Sequence, residues 1–160
     1  MSPVVRTLTI LCAVGAAMAA GALFTFSTFT IGGLKRLPPE QGAAAMQAIN
    51  KQAPTPLFML LIFGTGAACL GLGVRAALHL GDGAATYQLA AAALYVVGVV
   101  LLTIGYHVPR NDRLDAVDPH SADGIAYWAT YLREWVRMNH VRTVAPLVAA
   151  VLLTMSLYVE

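Results

Sequence analysis

Residues 7–34, TLTILCAVGAAMAAGALFTFSTFTIGGL, contain no Asp, Glu, Lys or Arg. The stretch is 28 residues long, whereas an α-helix needs about 20 apolar residues to cross the hydrocarbon core of a bilayer. A spanning segment must be helical, because lipid offers no hydrogen-bond partner to an unpaired backbone amide. The stretch therefore predicts a membrane-spanning helix over 7–31, which we expect to be retained because it is longer than a secretory signal core.

Three more uncharged stretches follow, at residues 52–74, 83–109 and 143–159. They predict further spans over 56–80, 85–107 and 138–158. The last uncharged stretch has only 17 residues, so its helix must begin earlier and bring Asn139, His140 and Arg142 to the membrane boundary. The sequence thus predicts an all-α integral membrane four-helix bundle, with residues 1–160 forming a single domain.

The composition excludes several other classes of protein. Hydrophobic residues make up 58% of the chain and charged residues 11%, whereas soluble proteins carry about 25% charged residues. A soluble domain needs more polar surface than this chain can supply. The formal net charge is only +2 and the basic residues flank the predicted spans, so we expect no nucleic-acid partner.

The two long loops are predicted to lie on one side of the bundle, because the 81–84 connection is a tight turn with two glycines. Pro39 and Glu40 begin an amphipathic pattern in the first loop, which predicts an interfacial helix. In the second loop we expect Pro109 to end the third span. A second helical pattern in that loop begins near Asp123.

Lysine and arginine are distributed unequally between the two sides. The side with both long loops carries eight of the ten basic residues, namely Lys35, Arg36, Lys51, Arg110, Arg113, Arg133, Arg137 and Arg142. The positive-inside rule then predicts a multi-pass protein of the cell membrane, with both long loops cytoplasmic and both termini outside. Small residues at four-residue spacing in the first two spans predict close packing within the bundle, and a homo-oligomer is the alternative.

The stretch 125–143 has the pattern of one helix whose residues sort onto two faces at about 100° per residue. Trp128, Trp135, Asn139 and Arg142 share one stripe, with Tyr131 at its edge. The opposite face carries Arg133, Arg137 and His140.

Two interpretations of this stripe stay open. Tryptophan also marks the aromatic belts at membrane surfaces, and Arg142 could extend to lipid phosphates. Polar residues at the membrane boundary more often face the bundle interior and serve function. On that reading Asn139 and Arg142 are catalytic candidates, and Trp128, Tyr131 and Trp135 are substrate-binding candidates.

A second group of candidates stands at the end of the third span. We expect His107 and Asp112 at the aqueous edge, where either could act as a general base. Asn111 beside them is a substrate-binding candidate. The alternative for His107 is a structural one, a histidine that meets the negative end of the helix dipole. No spacing of His and Cys predicts a metal site.

Several of these stretches together resemble a known family. They are AGALFTFS at 20–27, RLPPEQG at 36–42, AMQAIN at 45–50, HVPRND at 107–112, the two tryptophans, and NHVRT at 139–143. The chain resembles, over nearly its whole length, the anthrone oxygenase-like family of small four-span membrane proteins. The chain departs from the family at His107, where the family usually has Asn, so a role for that histidine cannot rest on its being a family feature.

The resemblance implies oxidation of an anthrone to an anthraquinone without a tightly bound organic cofactor. A base removes a proton from the anthrone methylene, the enolate reacts with oxygen, and the peroxide loses water to give the quinone. Asp112 or His107 would be the base, Asn139 and Arg142 would hold the enolate oxygen, and Trp128 and Trp135 would stack on the rings.

Other functions stay open from the sequence. The first alternative is a non-catalytic four-helix membrane protein that binds a lipid, a quinone or a partner helix at the Trp/Arg stripe. The second is an electron carrier with a haem or a metal ion. Whether the protein is an enzyme or a non-catalytic binding protein, the expected partners are membrane lipid and a small aromatic or quinoid molecule.

Overall fold

A computed structural model describes residues 1–159 as helices joined by short connections. The helices are α1 (Pro3–Leu34), α2 (Pro39–Gln52), α3 (Pro56–Leu78), α4 (Ala85–Asp115) and α5 (Ala122–Ser156). All except α2 are long and apolar enough to cross a membrane, and residues 1–159 contain no β-strand. The predicted all-α fold with four spans is confirmed.

The helices begin where the sequence supplies capping groups. The hydroxyls of Ser2, Thr55 and Ser121 accept hydrogen bonds from backbone amides in the first turns of α1, α3 and α5. Proline occupies the first turn of α1, α2 and α3, where its missing N–H would have no helical partner. These side chains fix where each helix starts.

Pro109 does not end the third span, contrary to the prediction. The helix α4 continues through this proline to Asp115. The turn just before it, Thr103–His107, is π-helical. In a regular α-helix the proline ring would clash with the carbonyl four residues earlier. The wider turn makes room for the ring, so the helix continues past the proline.

The helical pattern predicted in the second loop is not a separate helix. The pattern near Asp123 and the predicted span from 138 are parts of one unbroken helix, α5, which runs from Ala122 and passes through Pro146. Loop two is therefore short, and the ends of α4 and α5 extend together beyond the apolar part of the bundle. The side chain of Arg110 on α4 joins them through a 2.9 Å ion pair with Glu134.

The predicted helix in the first loop is present as α2, which packs over one end of the bundle. The side-chain amide of Gln47 donates hydrogen bonds to the carbonyls of Leu114, at 2.8 Å, and Val117, at 2.9 Å. Gly42 lies against the Trp128 indole, where an added Cβ would come within 3.1 Å of the ring. The helix α2 therefore covers the end of α4 and the first half of α5.

At the other end of the bundle, the turn between α3 and α4 is held by one ion pair. The guanidinium of Arg75 lies 2.8 Å from the Asp82 carboxylate. This hydrogen bond keeps the pKa of the exposed Asp82 carboxyl below its ordinary value.

The spans approach closely where small residues meet. A methyl group added at Gly73 would lie 2.6 Å from Cβ of Ala92, and one added at Gly98 would overlap Cβ of Ala145. These contacts join α3 to α4 and α4 to α5. Such packing is the main attraction between helices in lipid, because apolar side chains gain little by leaving a lipid environment for each other.

We expect Gly98→Ala to destabilise the bundle by about 1–3 kcal/mol, because the new methyl group forces α4 away from α5. Gly105→Ala is the matched control, since Gly105 also lies in a π-helical turn of α4 but has no atom within 4 Å of its added Cβ. Thermal unfolding in detergent micelles measures both. Equal unfolding temperatures for the two variants would contradict the packing described here.

Candidate functional site

A buried polar cluster lies where α1, α4 and α5 meet. Its centre is Asn139, which is fully buried, and Arg142, whose exposed fraction is 8%. The sequence predicts both residues at the membrane boundary, and in the structure both side chains point into the bundle. This arrangement excludes the alternative in which Arg142 extends to lipid phosphates.

Asn139 uses all of its hydrogen-bonding capacity. Its Nδ2 donates to the carbonyl of Leu23 at 2.9 Å and to Oγ of Ser27 at 2.7 Å, both on α1. Its Oδ1 accepts from Nε and Nη2 of Arg142, at 3.0 and 2.6 Å. The amide therefore holds the guanidinium in one orientation and ties α5 to α1.

Arg142 is a buried cation without a counter-ion. Its Nη1 donates to Oγ1 of Thr103 on α4 at 3.2 Å. Within residues 1–159 no carboxylate lies within ion-pair distance of it, because the ion pairs there join Arg75 to Asp82 and Arg110 to Glu134. One N–H on each terminal nitrogen is left without an acceptor in that part of the chain. The site therefore has free donors and an uncompensated positive charge.

Three aromatic rings of α5 form a stack that leads to this cation. The centroids of Trp128 and Tyr131 are 5.8 Å apart and those of Tyr131 and Trp135 are 5.9 Å apart, with interplanar angles of 19° and 23°. The guanidinium carbon of Arg142 lies 5.6 Å from the centroid of Trp135. The three rings are buried, so this is not an aromatic belt at the membrane surface.

Asn111 fixes the position of two rings in the stack. Its Oδ1 accepts hydrogen bonds from the hydroxyl of Tyr131, at 2.8 Å, and from Nε1 of Trp135, at 3.0 Å. Both donors would otherwise be unpaired polar groups among apolar side chains. The structure thus joins the predicted residue Asn111 to the predicted stack, through bonds that orient the rings.

His107 lies inside the bundle and not at the aqueous edge where it was expected. Its side chain is fully buried, and its ring meets Trp135 edge-on at 5.2 Å between centroids. Neither ring nitrogen has a hydrogen-bond partner among residues 1–159. The π-helical turn before Val108 presents this side chain inward, next to the ring that Arg142 also contacts.

Asp112 is the one predicted site residue that the structure leaves outside the cluster. Its side chain is exposed on the outer surface of α4. The helix continues through Pro109, so Asn111 and Asp112 lie about 100° apart around it and only Asn111 faces α5. The other seven predicted residues are His107, Asn111, Trp128, Tyr131, Trp135, Asn139 and Arg142, and they form one connected cluster.

Sequence reasoning missed two polar partners of the cluster and one buried polar group of α2. Ser27 and Thr103 lie in π-helical turns and bond Asn139 and Arg142. Asn50 of α2 carries a buried Nδ2 without a partner among residues 1–159. Hydroxyl residues are common in membrane helices, where they bond their own backbone, so neither Ser27 nor Thr103 had a pattern that set it apart.

The sequence of this region matches a known family. A sequence model described as anthrone oxygenase matches residues 58–152, which include most of α3, all of α4 and most of α5. The chain belongs to the anthrone oxygenase family. The matched region contains every predicted site residue of this anthrone oxygenase family member, whereas α1 and α2 lie outside it.

No curated protein matches the chain, and no solved structure does so either. Among residues 1–159 no group of three or more His, Cys, Asp or Glu side chains is arranged to hold a metal ion.

We expect Asn139→Ala to destabilise the fold by about 3 kcal/mol. The substitution removes the acceptor of two Arg142 donors and leaves a buried charge with less compensation. His140→Ala is the matched control, because His140 is the next residue and is exposed, and we expect its effect to stay within about 0.5 kcal/mol.

Thermal unfolding in micelles measures both variants, and a third variant tests the reason. Asn139→Ala combined with Arg142→Met should be more stable than Asn139→Ala alone, because the buried charge is gone. If the double variant is the least stable of the three, the cost does not come from the unpaired guanidinium.

Proposed function

We propose that the chain is a membrane oxygenase that oxidises a small aromatic or quinoid molecule of the anthrone type without a tightly bound organic cofactor. The observation that carries the proposal is the buried Arg142 guanidinium beside an ordered aromatic stack, which has free N–H donors and no counter-ion among residues 1–159. A preorganised cation of this kind can stabilise negative charge that develops on a substrate during a reaction. Membership of the anthrone oxygenase family supports the same chemistry.

The first step is the removal of a proton from the methylene carbon of the substrate. His107 is the best-placed base, because its ring adjoins Trp135 and neither ring nitrogen has a hydrogen-bond partner among residues 1–159, which leaves the lone pair of the neutral imidazole free. The electron pair of the broken C–H bond moves to the ketone oxygen, which becomes an enolate. The free N–H donors of Arg142 stabilise that oxygen, and Asn139 keeps the guanidinium in place.

The second step is the reaction of the enolate with molecular oxygen, which is the oxidant. A carbon–oxygen bond forms at the deprotonated carbon, and the resulting peroxide anion takes the proton from His107. The hydroperoxide then loses water, as the remaining C–H bond and the O–O bond break and a second carbonyl forms. One anthrone and one O₂ thus give one quinone and one water.

The surroundings of the cluster suit this chemistry, because an enolate in water is quickly reprotonated. The buried rings of Trp128, Tyr131 and Trp135 make the surroundings of the cluster apolar and aromatic, which suits a polycyclic substrate. The helix α2 covers the end of the stack nearest the loops, through Gly42 at Trp128. Burial of the cluster limits the access of water, which strengthens each electrostatic interaction within it.

Oxygen uptake by the purified protein in micelles, with an anthrone as substrate, tests the proposed activity. We expect Arg142→Met to lower the rate by about 100-fold or more, as for the loss of an oxyanion donor. Arg36→Met is the control, because Arg36 is exposed at the end of α1. Wild-type protein that is no faster than Arg142→Met would overturn the proposal, and an anthrone retained without turnover would favour the non-catalytic binding function.

A second experiment tests the base separately from the oxidation. Under anaerobic conditions in D₂O, wild-type protein should accelerate hydrogen–deuterium exchange at the substrate methylene. We expect His107→Asn to lower that exchange by about 100-fold or more, and Asp112→Asn to leave it nearly unchanged because Asp112 is exposed. The reverse result would assign the base to Asp112.

We further propose that α2 and the connection between α4 and α5, which lie in the two long loops of the sequence prediction, face the cytoplasm, and that both termini face outward in the cell membrane, as the distribution of Lys and Arg predicts. Single cysteines at Ala48 in α2 and at Gly81 in the α3–α4 turn test this, since both positions are exposed and the native Cys12 and Cys69 are buried. A membrane-impermeant maleimide should label Gly81→Cys on intact cells and Ala48→Cys only after permeabilisation. The opposite labelling would reverse the orientation.

A further inference from the structure

The outward face of α5 carries a stripe of side chains that the proposed reaction does not use. We define the outer stripe as Arg133, Arg137, His140, Val144 and Val148, which are exposed and follow one another at helical spacing. At about 100° per residue they stay within about 80° around the helix. The cationic residues occupy the end nearest the loops and the valines the end within the apolar span. The stripe is therefore polar at one end and apolar at the other.

The two arginines of the outer stripe are not neutralised by carboxylates of residues 1–159. Within residues 1–159 neither Arg133 nor Arg137 has a carboxylate within ion-pair distance. The only side-chain partner that the described residues give Arg133 is the hydroxyl of Thr130, at 3.4 Å. The nearby carboxylate of Glu134 is already paired with Arg110, at 2.9 Å. Both guanidinium groups are free to bind an anion from outside.

The apolar end of the stripe is part of a groove. The groove has a volume of about 450 Å³ and is lined by Leu94 on α4 and, on α5, by His140, Val141, Val144, Ala145 and Val148. From His140 to Val148 it extends about 12 Å along the helix axis, at about 1.5 Å per residue. His140 lies at the end of the groove that is nearer the loops, and Arg137 lies about one helical turn beyond it in the same direction. The groove and the cations thus form one continuous surface.

We propose that this surface binds an anionic phospholipid, with the phosphate between Arg133 and Arg137 and one acyl chain in the groove. Charge complementarity selects this occupant. A partner helix would have to present acidic residues opposite the arginines. A phospholipid already carries an anionic headgroup followed by an apolar chain, which matches the arginines followed by the groove along the stripe. Arginine also matches the geometry of a phosphate with paired donors.

Native mass spectrometry of the micelle-purified protein, titrated with dioleoyl phosphatidylglycerol or dioleoyl phosphatidylcholine, tests the proposal. We expect the wild-type protein to retain phosphatidylglycerol preferentially. Each arginine should contribute about fivefold to that preference, so Arg133→Gln combined with Arg137→Gln should remove it. Changing both arginines to Lys should keep most of the preference for phosphatidylglycerol. This result would show that the double Gln variant loses the preference through its lost charge and not through misfolding. Lys35→Gln with Arg36→Gln is the matched control, because these exposed residues are not part of the groove.

A second arm tests the acyl chain. Val144→Phe fills the groove and should weaken phosphatidylglycerol binding severalfold, whereas Ile104→Phe, at an exposed position of α4 outside the groove, should not. Equal retention of the two lipids by the wild-type protein would overturn the proposal. So would an unchanged preference in the double Gln variant, or equal effects of the two Phe variants.

Discussion

The hydrogen bonds between Asn139 and the buried guanidinium of Arg142 are the interaction on which the other parts of the structure depend. A cation inside a membrane bundle cannot be solvated by lipid, so its donors must be met by protein groups. Asn139 meets two of them and at the same time donates to Leu23 and Ser27 on α1. Arg142 also reaches Thr103 on α4. One polar network therefore sets the relative position of three spans.

The aromatic stack extends this network toward the loops. Trp135 lies beside both Arg142 and His107, and its indole N–H shares the Oδ1 acceptor on Asn111 with Tyr131. The stack ends at Trp128 beneath Gly42 of α2. The buried cation, the aromatic rings and the covering helix α2 thus follow one another along one face of α5. An anion formed in this place gains more from the guanidinium than it would in water, because the surroundings screen the charge less.

The residues of α5 that form the site were predictable because one helix carries them. At about 100° per residue, helical periodicity alone places five residues on one side of the helix, namely Trp128, Tyr131, Trp135, Asn139 and Arg142. Their shared face does not depend on the other helices. The positions of His107 and Asp112 were not predictable in this way. A π-helical turn and the passage of α4 through Pro109 decide them, and the wider turn rotates all residues that follow relative to a regular α-helix.

The sequence by itself determined that the chain has four helices long and apolar enough to span a membrane. Three uncharged stretches reach the length that a span needs, and the fourth does so once its helix begins before Arg142. The sequence also determined which residues share the site face of α5. Only the tertiary structure decided that this face is turned inward, that His107 adjoins it, and that Asp112 does not. Those outcomes depend on contacts between residues far apart in the chain, such as Asn139 with Ser27 and Gln47 with Leu114, and periodicity within one helix carries no information about them.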